Sequence, residues 1–434
     1  MINNFQIEGY WWLPEKPENK IAGILHYLTY EESDLKLLDE FNDKKTHVPR
    51  HFTSEVKPPV PNIILGVDEN ANKITLVVKC YGKQNWNLSS TFPIIHYKIW
   101  LCIRGIHLSS NDDRIFNEIE IELESLTSWI NSYPVRLSIP IKENRLTTDF
   151  TLAYSSPEND LSFDINDGFE LSVNGRADFT DVHQEEITVR QRYIASIKSV
   201  EPLDFSSLLE KCYRLQSFLN MATFSHNEFL ALRLYSEQHF QELKDKKKIF
   251  LPIDIFLKQI KIGDKDGKSG KIEKYLFKYG DLNATFPEVI KRWFSFDKKM
   301  MPILRHLTDS IQPKRIFKSV DFLIVIQALE GYHHRFFDKE PEKEKNLEQR
   351  LKNLINSFCK EVLAVRDIDI KQTVYTRHYY SHFYNKTTDM QIAEGVDLYH
   401  LTIKLQNLLI CCFLHELGVD NEKINEILQK FYDK

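Results

Sequence analysis

The sequence predicts an α+β protein in which a β-rich, sandwich-like N-terminal region is followed by an all-α helical bundle. Three observations carry this. Up to about Val200 apolar residues come in short alternating runs, the pattern of half-buried strands. From Asp204 the spacing becomes helical, and beyond about Ile311 nearly every segment keeps that spacing with short connections. Strands grouped first and helices grouped last argue for segregated α+β architecture rather than alternating βαβ units.

The N-terminal runs are IAGILHYLTY, NIILGV, ITLVVKCYG, YKIWLCIRGIHL, NEIEIELES, FELSVNG and EITVRQRYIASIKSV. Their β-branched and aromatic side chains suit a pleated surface, and turn residues as in VDENANK and DINDG separate them. An antiparallel sandwich or curved sheet follows. DFSSLLEKCYRLQSFLNMA then places Leu208, Leu209, Cys212, Leu215, Phe218 and Leu219 at helical spacing behind a Ser cap region. Two strands are expected after it, in EFLALRLYSE and IFLPIDIFLK. The polar GDKDGKSGK lacks the Lys followed by Ser or Thr at the Walker spacing, so it reads as a solvated loop. Four main helices are drawn at Phe317 to Phe337, Lys345 to Lys360, Ile370 to Phe383 and Glu394 to Leu417, with a short one from Asn421 to Tyr432. Leu398, Leu401, Leu405, Leu408, Leu409 and Cys412 form a broad apolar stripe on the last long helix. The expected division is 1–312, β-rich and regulatory or sensory with a helical and mixed extension from about 204, and 313–434, an up-and-down bundle.

A chain of 434 residues with 42% hydrophobic and 27% charged residues has the composition of a globular protein of more than one domain. Its formal charge of −5 gives no global basic footprint, so nucleic-acid binding would need a local patch. The six cysteines form no Cys-x-x-Cys pair and read as reduced core residues, which excludes a structural zinc site as the expectation. The opening MINNFQIEGYWW lacks a basic segment followed by an apolar one, so no secretory leader is expected. No apolar run reaches the roughly eighteen residues of a membrane span. A cytoplasmic protein without a membrane partner is the expectation.

An Arg followed four to six residues later by a His can hold a phosphate and take a proton, enough to cleave RNA without a metal. Three such pairs occur: Arg176/His183, in an expected turn; Arg233/His239, in or beside a strand; and Arg377/His382, in the bundle run TVYTRHYYSHFY. The first two read as surface residues. For the third, five residues along an ideal helix rotate side chains about 140° apart. The pair therefore requires either that the helix end or kink near Tyr380, or that two copies build one cleft across a two-fold axis. His333 and His334 invite a metal, but adjacent helical residues diverge and no third ligand stands nearby, so a helix-end surface reading is preferred. Of Tyr10, Trp11 and Trp12, alternation leaves one exposed or all three closing a seam. The lysine clusters Lys244 to Lys248 and Lys339 to Lys345 are interspersed with acids and read as solvated faces.

At RHYYSH the chain resembles the HEPN ribonucleases, whose mark is Arg, a polar residue, several further residues and His on a four-helix bundle. DFLIVIQALEGYHHRFF, with Glu330 and the two adjacent histidines, is similar to the ApeA-type branch, and FQIEGYWWLPEKPENKIAGILHYL to its accompanying N-terminal domain. The resemblance implies an anti-phage abortive-infection homodimer, without cofactor, that degrades RNA, transfer RNA among the candidates, when its N-terminal domain senses a phage-derived trigger. Arg377 and His382 would be catalytic. Glu330 would orient one of them, or is a solvated acid or the partner of a surface Lys; His378 would carry a second proton or donate to phosphate, or is a surface polar group; Tyr379 and Tyr380 would stack on bases, while bundle-core packing explains at least one of them equally well; Ser381 also stands in the supporting set. Two other readings stay open: a non-catalytic dimeric interaction protein whose bundle binds nucleotide, RNA or a partner, and a carbohydrate-binding sandwich resting on the tryptophans.

Overall fold

Six antiparallel strands close on themselves at the N-terminus: β1 (Phe5–Trp12), β2 (Ile21–Tyr27), β3 (Ser33–Leu37), β4 (Ile63–Asp68), β5 (Lys73–Tyr81) and β6 (Ile95–Arg104). The computed structural model describes residues 4–41, 60–82, 94–132, 135–139, 141–142, 145–146, 151–154, 161–180, 188–259, 275–311, 318–338, 345–358, 360–383 and 391–432. GDKDGKSGK, His183, Cys359 and residues 339–344 lie outside them.

The barrel order is β6-β3-β2-β1-β4-β5, and β5 pairs back onto β6. Closure removes exposed edges. Alternate residues point inward, so Trp11, Leu25, Leu35, Ile64, Leu76 and Tyr97 pack together in the interior. Trp11 lies so close to Gly66 that no Cβ fits there. The β-rich expectation thus takes the form of a barrel, and both tryptophans of the opening run are buried while Tyr10 is the exposed member. A sugar-binding role for those tryptophans loses its basis.

One strand joins the barrel to a second sheet. The Ile95–Ile99 half of β6 pairs with β3, and its Leu101–Arg104 half pairs on the same side with β18. Beyond the barrel lie β7 (Phe116–Leu123), α1 (Leu126–Ile130), the small ladders of β8 (Val135–Ser138) with β11 (Thr151–Tyr154) and β9 (Ile141–Lys142) with β10 (Arg145–Leu146), then β12 (Leu161–Asp164), β13 (Phe169–Phe179) and β14 (Val189–Leu203). Next come α2 (Phe205–Thr223), β15 (Phe229–Tyr235), the hairpin of β16 (Phe240–Glu242) and β17 (Lys248–Phe250), and β18 (Ile253–Leu257). The open sheet has the order β18-β15-β7-β14-β13-β12.

Alternation along β7 gives this sheet two different faces. Ile119, Ile121 and Leu123 turn to the core beneath α2, while Glu120 and Glu122 turn the other way. Arg176 and Arg233 pair with Glu120, and Arg190 and Arg192 with Glu122. Tyr235 donates to Glu120 at 2.8 Å. Arg176 lies within β13 rather than in a turn, and both alternative arginines are held in this sheet-face network.

The helices are α3 (Tyr279–Leu282), α4 (Phe286–Ser295), α5 (Met301–Ile311), α6 (Ser319–Tyr332), α7 (Leu347–Phe358), α8 (Ile370–His382), α9 (Gly395–Glu416) and α10 (Asn421–Tyr432). A π-helical turn, His333–Phe337, extends α6. All five expected bundle helices are present, but the unbroken succession of helices begins before the expected Ile311, at α3. α9 is the central rod, buried from Leu405 to Leu414 and packed against α5, α6, α7 and α10. One apolar interior runs from the open sheet through α2 and α4 into this bundle. The rings of Phe296 and Phe413 meet across that junction, and Gln406 Nε2 donates to the Ser310 carbonyl at 2.9 Å.

Two other details differ from expectation. His333 is fully buried, its Nε2 3.3 Å from Asn353 Nδ2, whereas His334 is exposed. Cys80 is exposed, while Cys102, Cys212, Cys411 and Cys412 are buried free thiols.

Candidate active site

α8 is fixed at its start, its middle and its end. Asp369 accepts a hydrogen bond from the Gln372 N–H at 2.9 Å, satisfying one of the free donors at the helix N-terminus. Thr373 and Thr376 are fully buried and, with Tyr380, which packs on the core, mark the face turned to the bundle. Thr376 Oγ1 accepts from the Ala393 N–H at 3.0 Å, tying α8 to the segment entering α9. Phe383, at φ 55°, ends the helix in the left-handed conformation and donates its N–H to the Tyr379 carbonyl at 3.0 Å.

This geometry leaves Arg377 beside the buried face and His382 at the last helical residue. Arg377 Nη1 lies 2.8 Å from His382 Nε2. α8 shows no end or kink at Tyr380 but runs on to His382, and the reach of the long Arg side chain spans the remaining angle within one chain. A guanidinium only donates, so Nε2 accepts and the imidazole proton sits on Nδ1. Glu330, on α6, places Oε2 3.8 Å from Arg377 Nη2. The guanidinium therefore lies between an acid from one helix and a base from another. Arg377 keeps 27% side-chain exposure and His382 is exposed, so a polyanion can reach both.

The neighbours divide into those that face the pair and those that support the helix. The His378 ring stacks on that of His382 with centroids 5.8 Å apart. Burial holds the His378 pKa below the ordinary imidazole value, with Arg377 and His382 acting in the same direction and Glu330 against them. Ser381 Oγ donates to the Arg377 carbonyl at 2.7 Å, an intrahelical bond. Tyr379 and Tyr380 meet edge to face with centroids 5.0 Å apart. Thr376 was not singled out from sequence. A Thr one residue before the Arg is a weak signal, because its hydroxyl partner, Ala393, comes from another segment. Among the described residues no group of three or more His, Cys, Asp or Glu side chains is arranged to hold a metal ion, and no helix is long and apolar enough to cross a membrane.

A helical bundle that carries Arg-x-x-x-x-His at the end of one helix, with an acidic residue beside it from another, has the form of a HEPN-type domain. The Apea-like HEPN profile matches residues 323–423, and the ApeA N-terminal domain 1 profile matches residues 6–293. The second match alone covers more than half of the chain, which belongs to the ApeA family. No curated protein and no solved structure matches it.

Proposed function

We propose that this chain is an anti-phage abortive-infection endoribonuclease of the HEPN type, acting as a homodimer. The observation that carries the reading is the 2.8 Å contact between Arg377 Nη1 and His382 Nε2 on an accessible helix end. RNA, transfer RNA among the candidates, is the substrate class, and residues 1–312 carry recognition of the phage-derived trigger. The protein works in the cytoplasm.

The chemistry follows from the two side chains. A phosphate of the substrate draws the Arg377 guanidinium onto its non-bridging oxygens, a charge-assisted and potentially bidentate contact stronger than one to a neutral imidazole. Nε2 of His382 is then free to take the proton of the ribose 2′-OH. The 2′ oxygen attacks phosphorus, the bond from phosphorus to the 5′ oxygen breaks, and that oxygen leaves as a hydroxyl after protonation from solvent or an imidazolium. Negative charge grows on the oxygens that Arg377 holds, where fixed donors count most. The products are a 2′,3′-cyclic phosphate and a 5′-OH. DNA, which lacks the nucleophile, is spared. Glu330 keeps the guanidinium facing the site.

The test is cleavage of bulk transfer RNA and a single-stranded RNA in EDTA by wild type, Arg377→Ala and His382→Ala, with the ends identified. Cleavage by the wild type alone, leaving cyclic phosphates, is the expected result. Equal activity of wild type and both variants would overturn the assignment. The partial exposure of both residues favours this reading over a purely structural or binding bundle, which would have no reason to keep the pair open.

A further inference from the structure

A cleft elsewhere on the chain shares no residue with the Arg377 pair. It is a cleft of about 850 Å³ between α2, α5 and the outward face of β6, within the ~300–1,000 Å³ range of small-molecule sites. Trp100 and Tyr213 line it and keep 43% and 40% exposure, large aromatic surfaces turned to water.

Its charge is the opposite of the chain's. Arg214, Lys298 and Arg305 line the cleft against one carboxylate, Glu210. Glu210 lies 3.9 Å from Lys298, which leaves the two guanidiniums uncompensated in a chain of formal charge −5. Arg214 is the informative one, because it is only 8% exposed. Its Nη1 donates to the carbonyls of Phe294 and Phe296 at 2.6 and 3.3 Å. Among the described residues no carboxylate pairs with it and its other nitrogens make no hydrogen bond. A buried guanidinium without an acid is costly unless an anion completes it.

We propose that this cleft binds a free nucleotide, its base stacked on Trp100 or Tyr213 and its phosphates on Arg214 and Arg305. Rings offer a π-face to any base, and guanidinium forks match phosphate oxygens. An apolar metabolite would leave Arg214 unpaired, and inorganic phosphate would leave both rings open. The cleft's α5 wall packs on α6, where Ile303 lies under Gly331, the residue after Glu330.

The experiment is equilibrium dialysis of the full-length protein with each of the four ribonucleoside triphosphates, with the matching nucleosides, and with a short single-stranded RNA. Saturable binding of at least one triphosphate is expected, weakened about 10-fold or more in Trp100→Ala and in Arg305→Ala. Both positions are open to solvent, so both variants should melt with the wild type. The nucleoside should bind about 10-fold or more weakly than its triphosphate. Arg214→Gln should weaken binding further where it folds, and the two exposed variants decide the matter where it does not. Absence of binding by all four triphosphates at millimolar concentration, binding indifferent to both exposed substitutions, or binding of the RNA alone would each overturn the proposal.

Discussion

Arg377 has two competing partners, the His382 imidazole and the Glu330 carboxylate, and in the proposed mechanism the imidazole is released while the carboxylate holds the guanidinium in place. In that mechanism Arg377→Ala removes charge stabilisation and His382→Ala removes the base. Each should lower cleavage about 100-fold or more, measured as initial rate on transfer RNA. Arg377→Lys should recover only a small part, since an ammonium lacks the planar fork that grips two phosphate oxygens. Buried His333 makes a separate prediction. Burial depresses its pKa, so below the unfolded value of about 6.5 the unfolded chain binds more protons than the folded one. The stability this residue contributes is intact above about pH 6.5 and is lost as pH falls toward the folded pKa. The wild-type melting temperature should therefore drop more between about pH 7.5 and about pH 5.5 than that of His333→Gln; parallel curves would refute it. The Arg377/His382 pair was legible in sequence as a spacing, but its contact was not, because an ideal helix separates the two and only the reach of a long side chain brings them together.

At the scale of elements, α8 owes its position to one hydroxyl. Thr376→Val keeps shape but leaves the Ala393 N–H without its acceptor, which should cost about 1–3 kcal/mol, measured by denaturant unfolding. Cleavage should fall as well, because Arg377 follows directly in the chain; unchanged stability would mean that another acceptor replaces Thr376. The bundle helices could be read within a few residues, most clearly α9 with its long apolar stripe, although α8 buries only Thr373 and Thr376. α4 carried the same signal in Phe286, Val289, Ile290, Trp293 and Phe294, with Pro287 at its start, yet strands and loops around it masked it. Barrel closure was not legible at all. Period 2 says that a strand has an inner and an outer face, but not that β6 divides one edge between β3 and β18.

Across the whole molecule, one chain by itself brings Arg377 and His382 into contact, so in the proposed homodimer each copy would hold a complete pair. Mixing Arg377→Ala with His382→Ala protein should therefore restore no more than a trace of cleavage, even where the chains exchange into mixed dimers. Recovery of a large fraction of wild-type rate would mean that catalysis pairs Arg and His between subunits. The division of the sequence into strands first and helices later also differs from the division of the interior. The barrel has a core of its own, whereas the open sheet and the bundle fill a common one through Phe218, Trp293, Phe296 and Phe413. The helical half is consequently no interchangeable cassette. A chimera that grafts residues 313–434 onto a foreign sensor would strip α9 of Phe296 and α5, and a transplant that preserves the bundle has to carry α2, α4 and α5 with it.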